Sequence, residues 1–173
     1  MGDALLIEWK AFPLRPEPDP SAAFRGTYRE AGWRRCGAMA EPDGIRFNLW
    51  ARDDFPSWSL PALEAAKCVA LQGPEAFDRL HLRLYEAFFS RGINIAKRDE
   101  LVEVIRESGA DMRRFLSDFE GGAARDAVLR DYEDALGRDG VRAIPTVIVN
   151  GGRRFTGLTD RIEYRKAIEA ARE

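Results

Sequence analysis

The sequence predicts an α+β protein in which a run of helices is inserted into a small mixed sheet. A strand candidate lies near the N-terminus, at residues 5–9, and a β-hairpin candidate lies near the C-terminus, at residues 146–156. Between them, apolar residues recur at helical spacing and glycines separate successive helices. Because the sheet needs strands from both sides of this run, we expect a single domain over residues 1–173, with a helical insertion at about 59–137.

The region that follows the first strand candidate is predicted to be mostly irregular. Residues 12–20 contain four prolines, which exclude a helix and indicate an extended loop. An amphipathic helix is expected over residues 21–35, with Ser21 as its N-cap. Residues 45–50 alternate between apolar and polar at period two, which is typical of a strand.

The central run is predicted to form five helices, at residues 60–72, 74–92, 99–108, 112–119 and 123–136. Pro74 suits a first helical position, because its missing N–H would have no partner there. On the third of these helices Leu101, Val104 and Ile105 are expected to face inward. A final helix follows the hairpin, with Thr159 as its expected N-cap and with Ile162, Tyr164 and Ile168 on its inner face.

The hairpin is the most informative segment of the sequence. Residues 146–149 are continuous and β-branched, which favours a strand buried on both faces. Asn150 and Gly151 predict a tight turn, since both tolerate positive φ. Pro145, which opens the first strand, donates no ladder hydrogen bond. It is either an ordinary trans proline at a strand edge or a cis proline that leaves the preceding backbone free to pair with an outside strand.

These segments resemble one protein family when they are taken in order. Residues 140–171, with Ile144-Pro145-Thr146, resemble the C-terminal half of a thioredoxin fold and its cis-proline loop. Residues 7–14 resemble the second core strand of the DsbA-like oxidoreductases of the FrnE type, a branch that includes the 2-hydroxychromene-2-carboxylate isomerases. Residues 63–66 and 85–93 resemble parts of their inserted helical domain, and for residues 45–50 the likeness favours a loop. The resemblance implies a thioredoxin-like fold, thiol–disulfide exchange, and a substrate-binding role for Ile144 and Pro145.

The resemblance lacks the family's redox motif. In that family a first strand runs into a Cys-x-x-Cys at a helix N-terminus, where the helix dipole lowers the thiol pKa. Here only Met1 to Leu5 precede the second strand, and Cys36 and Cys68 form no such motif. We therefore expect no catalytic residue and no dithiol activity from the chain as written. We also expect a fragment of a longer protein, with the first core strand and first helix missing.

Two alternatives stay open beside a DsbA-family thiol–disulfide oxidoreductase acting on protein or small-molecule thiols. One is a glutathione-dependent isomerase or transferase of the same fold. Glutathione would be its cofactor, and no other cofactor is expected. The other is a redox-dead binding module that uses the loop at Ile144 and Pro145. A homodimer that supplies the absent strand in trans would favour the second alternative.

Composition restricts the remaining classes. The net charge of −2 gives no reason to expect a nucleic-acid or membrane partner, and no apolar run approaches the roughly 20 residues that span a bilayer. His81 is the only histidine, so no metal site is expected. Two cysteines do not make a disulfide scaffold, and no signal peptide is evident. The default expectation is a cytoplasmic protein.

Overall fold

The computed structural model describes residues 5–171, and the chain divides into two compact units between Arg130 and Asp131. Helices and strands follow in the order α1 (Tyr28–Ala40), α2 (Leu60–Ala70), α3 (Pro74–Tyr85), α4 (Arg98–Glu107), α5 (Met112–Glu120), α6 (Arg125–Gly137), β1 (Thr146–Val149), β2 (Arg153–Thr156) and α7 (Arg161–Ala170). Among these residues no helix combines the length and apolarity needed to cross a bilayer. The predicted order of five helices, a hairpin and a final helix is confirmed.

The core of the first unit is built by α2, α3, α4 and α5. Leu80, Leu101, Ile105 and Phe115 each have 0% of their surface exposed, and the predicted inward face of α4 is confirmed. Burying side chains of this size contributes about 1.5–3 kcal/mol each. The helix ends agree with local chemistry: Asp111 caps α5, because its Oδ1 accepts hydrogen bonds from the backbone N–H groups of Arg113 and Arg114 in the first turn.

An aromatic cluster forms a second core in the same unit. Phe24, Trp33, Trp50 and Phe55 are buried together, and Phe47, Phe88 and Phe89 pack against them. Phe88 and Phe89 belong to a π-helical turn, Glu86–Ser90, that continues α3. The strand expected at residues 45–50 is wrong, because this segment has no ladder partner among the described residues and instead sends Phe47 and Trp50 into the cluster. One backbone hydrogen bond, from Asn48 N to Phe89 O at 2.9 Å, ties it to the π-helical turn.

The N-terminal expectations also need correction. The strand predicted at residues 5–9 is not formed: within residues 5–171 the segment pairs with no strand, and Leu6 is 93% exposed. The helix expected from Ser21 begins seven residues later, with Thr27 as its N-cap, accepting from Arg29 N at 3.2 Å. Ser21 is held in a turn because its N–H and hydroxyl both donate to Asp19 Oδ1. Gly26, at φ +69°, excludes a continuous helix through that point.

The second unit contains the hairpin and α7. β1 and β2 pair antiparallel, from Thr146 opposite Thr156 to Val149 opposite Arg153. The predicted turn is confirmed, since Asn150 and Gly151 have φ of 45° and 69°. The sequence predicts that β1 is buried on both faces, but Val147 is 38% exposed and the other residues of β1 are half-buried. The reason is that β2 is the only strand paired with β1 in the described part of the chain.

Helix α7 begins one residue later than expected, and its predicted inner face is confirmed in part. Its N-cap is Asp160, whose carboxylate accepts from Ile162 N at 2.8 Å, so the Thr159 cap is wrong. Ile162 is 59% exposed, contrary to prediction. Tyr164 and Ile168 are half-buried, as predicted, and Tyr164 meets the buried Phe155 ring edge-on at 4.9 Å. Ala167, which the prediction did not include, is buried on the same helix.

Candidate functional site

The loop between α6 and β1 carries both residues that the sequence singles out. The Ile144–Pro145 peptide bond is cis, Ile144 is 43% exposed and Pro145 is also exposed. Hydrogen bonds fix the loop on either side of this bond: Thr146 Oγ1 donates to Ala143 O at 2.7 Å, and Gly157 N donates to Pro145 O at 2.8 Å. The loop is therefore tied to the start of β1 and the end of β2 while its apex stays at the surface.

The backbone of Ile144 is the unpaired part of this loop. Its N–H and C=O form no hydrogen bond with any residue in the range 5–171. A solvated donor and acceptor next to an exposed strand edge are what an extended peptide uses when it adds to a sheet. The site thus offers main-chain hydrogen bonds to a ligand, with the exposed Ile144 side chain as an apolar contact.

Two arginines hold the chain that leads into the loop. Arg154 of β2 donates to Gly140 O at 3.1 Å and to Asp139 O, and Arg142 donates to Leu136 O at 2.8 Å. Val141, between them, is buried and donates its N–H to Ala135 O at 2.7 Å. Sequence reasoning missed this positioning role of Arg154, because it depends on carbonyl groups more than ten residues away that no local pattern indicates.

The two cysteines lie in different surroundings, and neither is placed for redox chemistry. Cys36 is exposed within α1 and Cys68 is buried within α2, eight residues past the start of each helix. Burial raises the pKa of the Cys68 thiol to about 11, and the carboxylates of Asp118 and Glu64 act in the same direction. A reactive thiol needs a lowered pKa, usually at a helix N-terminus. Cys68 is therefore a structural core residue, as the sequence predicts.

His81 packs among aromatic rings in the first unit. Its ring centre lies 4.3 Å from that of Trp9 and 4.9 Å from that of Tyr85. Burial lowers the pKa of His81, with Asp78 opposing that shift. No group of three or more His, Cys, Asp or Glu side chains within the described residues is arranged to hold a metal ion. His81 has the geometry of a packing residue.

Two open clefts are each formed within a single unit. One, of about 350 Å³, is lined by residues of the first unit that include Phe24, Leu49 and Trp50. The other, of about 340 Å³, lies between the hairpin turn and the end of α7 and is lined by Arg153 and small residues. Neither of these two clefts is lined by Ile144 or Pro145.

Relatives of this chain are known from sequence. A family model described as DSBA-like thioredoxin domain matches residues 3–169. The chain is 26% identical over 172 residues to the uncharacterized protein YwbO of Bacillus subtilis, a match that covers 96% of this chain and 82% of that protein. It is 31% identical over 101 residues to the ClpXP adapter protein SpxH of Halalkalibacterium halodurans, covering 58% of this chain and 32% of that protein.

A solved structure has the same architecture. The crystal structure of a "putative protein disulfide isomerase" from Nitrosomonas europaea matches with a TM-score of 0.73 and 17% identity, over 90% of this chain and 78% of that chain. At this identity the likeness shows the fold alone, and the predicted α+β, thioredoxin-like fold class is confirmed. The substrate-binding role of Ile144 and Pro145 stays a prediction. Because the family model spans nearly the whole sequence, the chain belongs to the DSBA-like thioredoxin domain family.

Proposed function

We propose that this chain binds an extended, thiol- or disulfide-containing polypeptide at the Ile144–Pro145 loop, as the substrate-binding part of a thiol–disulfide oxidoreductase. The single observation that carries the proposal is that Ile144 is an exposed residue whose backbone N–H and C=O have no partner among the described residues. The hydrogen bonds from Thr146 and Gly157 support it, because they keep the loop in one conformation before a ligand arrives. Membership of the DSBA-like family supplies the substrate class.

The proposal includes the absence of dithiol activity in this chain. Its two cysteines lie 32 positions apart, at 36 and 68, so the sequence contains no Cys-x-x-Cys. The raised pKa of the buried Cys68 thiol opposes nucleophilic attack at neutral pH. We expect the purified protein to leave insulin disulfides intact in a reduction assay, at the rate of the buffer control. Turnover above that control would contradict this part of the proposal. Within the family, the likeness of residues 7–14 favours the FrnE branch.

A direct test measures peptide binding at the loop by NMR. A short unstructured peptide that contains one cysteine is titrated into labelled protein, and the Ile144 amide is expected to shift and to gain protection from hydrogen exchange. Ile144→Pro removes the donor, so we expect affinity to fall about two- to tenfold, as for a lost hydrogen bond of about 0.5–1.5 kcal/mol. Ile144→Val keeps the N–H and should bind like the parent protein.

The variants need a folding check and a matched control. Amide signals of β1 and β2 should keep their dispersion in each variant, which separates loss of binding from loss of structure. Leu158→Asp changes another exposed apolar residue of the same unit, and we expect it to leave peptide affinity unchanged. If the peptide binds the parent protein without perturbing Ile144, the loop is not the site. Glutathione in place of the peptide tests the isomerase-like alternative.

A second candidate function is that of an adapter that binds proteins without redox chemistry. The observation that favours it is the 31% identity, over 101 residues, to a protein described as a ClpXP adapter. An adapter would bind its partner whether or not the partner carries a thiol, whereas the oxidoreductase proposal requires a thiol- or disulfide-containing peptide. Binding that is equal for peptides with cysteine and with serine, and that survives alkylation of Cys36, would favour the adapter.

A further inference from the structure

Residues 5–9 form an apolar segment whose side chains are left in water. Leu5, Leu6 and Ile7 are 45%, 93% and 60% exposed. The segment contains no helix, turn or bend, and within residues 5–171 it pairs with no strand. None of its backbone groups forms a hydrogen bond with another residue in that range. A run of consecutive exposed apolar residues is seldom found in a folded protein without a function for it.

The two faces of this segment differ in polarity. Lys10 Nζ pairs with Glu8 Oε1 at 2.5 Å, so these alternate side chains share one face. Ile7 and Trp9 are therefore on the other face. The Trp9 ring centre lies 4.3 Å from that of His81 on α3, which holds this end of the segment against the first unit. The segment thus has one apolar face and one face that carries a carboxylate.

The outer edge of β1 has backbone groups that no strand meets. Gly157 N donates to Pro145 O at 2.8 Å, so these two residues form a hydrogen-bonded pair next to the first ladder pair. Hydrogen-bonded and non-hydrogen-bonded pairs alternate along an antiparallel ladder, so Thr146 and Ile148 direct their backbone N–H and C=O groups away from β2. In the described part of the chain β2 is the only strand paired with β1. This edge can therefore accept a further strand.

The side chains of the hairpin match those of the segment on both faces. Val147 lies opposite the buried Phe155 on one face of the hairpin, and Arg154 is on the other face. Among residues 5–171 Arg154 donates only to backbone carbonyls, so its charge has no carboxylate partner. An added strand that places Ile7 beside Val147 directs Glu8 to the opposite face. Its carboxylate then shares a face with the guanidinium of Arg154, and opposite charges on one face stabilise strand pairing.

We propose that residues 5–8 of one copy of this chain add as a strand to the outer edge of β1 of a second copy. A second copy is the occupant because each chain carries both halves of the contact, an unpaired apolar segment and an edge that lacks a strand, with matching faces. Reciprocal pairing gives a two-fold symmetric dimer in which each copy supplies one strand and accepts another. The inference does not depend on peptide binding at the Ile144–Pro145 loop.

Sedimentation equilibrium of the intact chain measures the association over a range of protein concentrations. A reducing agent is present, so that the exposed Cys36 forms no disulfide between copies. We expect a dimer whose dissociation constant rises at least about fivefold when Leu6→Pro and Ile7→Pro are combined. The double change removes the donor whichever of the two N–H groups faces β1, and a symmetric dimer loses it twice. Leu82→Lys, at another exposed apolar residue of the first unit, should leave the dissociation constant unchanged.

Hydrogen exchange locates the interface on the hairpin. We expect the Ile148 amide to gain protection as the protein concentration rises and to lose it in the double proline variant. Protection that is independent of concentration would show that the edge is covered within one chain, which overturns the proposal. A monomer at every concentration, or a dimer that the two prolines leave intact, would overturn it as well.

A second variant keeps the test decisive if the double proline variant does not fold. Glu8→Lys changes an exposed side chain and sets a cation on the face that carries Arg154, so we expect it to weaken the dimer. Near-ultraviolet circular dichroism of the aromatic cluster reports the folding of each variant. An unchanged dissociation constant in a folded Glu8→Lys variant would contradict the proposed pairing of faces.

Discussion

The helical core of the first unit buries its apolar side chains, whereas the hairpin region of the second unit leaves apolar side chains exposed. In α2 to α5, side chains such as Leu80, Leu101 and Phe115 have no exposed surface. In the hairpin region, Val147 and Ile144 are 38% and 43% exposed, although both residues are strongly apolar. Apolar surface that stays in water adds nothing to the free energy of unfolding, because the hydrophobic contribution comes from area removed from water. The comparison teaches that the burial of apolar side chains, and the stability it gives, is concentrated in the helices, whereas the hairpin region leaves apolar surface in water.

The largest effect is expected from truncating the helical core. Phe115→Ala removes a fully buried ring from α5 and should lower the free energy of unfolding by about 3–5 kcal/mol. Val147→Ala, at an exposed position of β1, should lower it by less than about 1 kcal/mol. Urea denaturation followed by far-ultraviolet circular dichroism measures both. Similar losses for the two variants would remove the contrast between the regions.

The next effect concerns thiol reactivity. The pKa of Cys68 is raised to about 11 by burial, whereas Cys36 is exposed. Against an ordinary thiol pKa of about 8.5, this lowers the thiolate fraction of Cys68 at neutral pH by about a hundredfold or more, and burial slows access further. We expect an aromatic disulfide reagent to modify one thiol in the native protein and two in denaturant. Cys36→Ser should abolish the fast reaction, and rapid labelling of both native thiols would show that α2 opens easily.

A smaller effect is expected at the hairpin turn. Asn150 has φ of 45°, a region that costs most L-residues about 1–2 kcal/mol and that asparagine tolerates better. Asn150→Ala should therefore destabilise the hairpin by about 1 kcal/mol. Asn150→Gly loses only the exposed hydrogen bond that Asn150 Nδ2 donates to Ala171 O at 3.2 Å, so we expect it to destabilise the hairpin less than alanine does. Hydrogen exchange of the β1 and β2 amides reports this local change even where global unfolding does not. Unchanged exchange in the alanine variant would mean that the turn is held by other contacts.

The smallest effect is expected from an exposed ion-pair network in the first unit. Arg52 donates to Asp54 and Glu100, and Lys97 pairs with Asp54 at 2.6 Å. The hydrogen bond from Arg52 holds the pKa of Asp54 well below its usual range, with Lys97 adding to it. A folded-state pKa below the unfolded value of about 3.9 gives stability that is present above that value and is lost as pH falls.

This network gives a prediction for pH dependence. Asp54→Asn should flatten the fall in unfolding free energy below about pH 4, because the variant has no proton to take up at that position. Asp53→Asn, at the exposed neighbouring carboxylate, should leave the fall unchanged. Acid titration of both variants, followed by tryptophan fluorescence, checks the difference. A fall of equal steepness in Asp54→Asn and the parent protein would exclude the network as its source.

The parts of the fold that the sequence predicts are those specified by local chemistry. The five central helices follow from apolar periodicity and glycine stops, and the hairpin turn follows from Asn150-Gly151. The errors arise where a contact with another residue overrides the local sequence pattern. Residues 45–50 have a strand pattern, but tertiary packing of Trp50 into the aromatic cluster overrides it. Ser21 suits an N-cap, but the carboxylate of Asp19 takes its N–H and hydroxyl.

In the candidate site, too, the features set by local sequence are predicted and those set by distant contacts are not. Pro145 is informative in the sequence because proline is restricted at a strand, so the loop itself is predicted. The hydrogen bonds of Arg154 to the segment before the loop are not. Each joins residues more than ten positions apart, and no periodic pattern in the sequence indicates such contacts.

The π-helical turn that ends α3 has a geometric consequence for the aromatic cluster. Successive side chains in an α-helix point about 100° apart, since a turn holds 3.6 residues, so two neighbouring phenylalanines would diverge. In the wider π-helical turn each backbone hydrogen bond joins residues five positions apart, one more than in an α-helix. Phe88 and Phe89 both reach Trp33, with ring centres at 5.2 and 5.3 Å. Deleting one residue from Glu86–Ser90 would restore regular winding and turn one of the two rings outward, toward water.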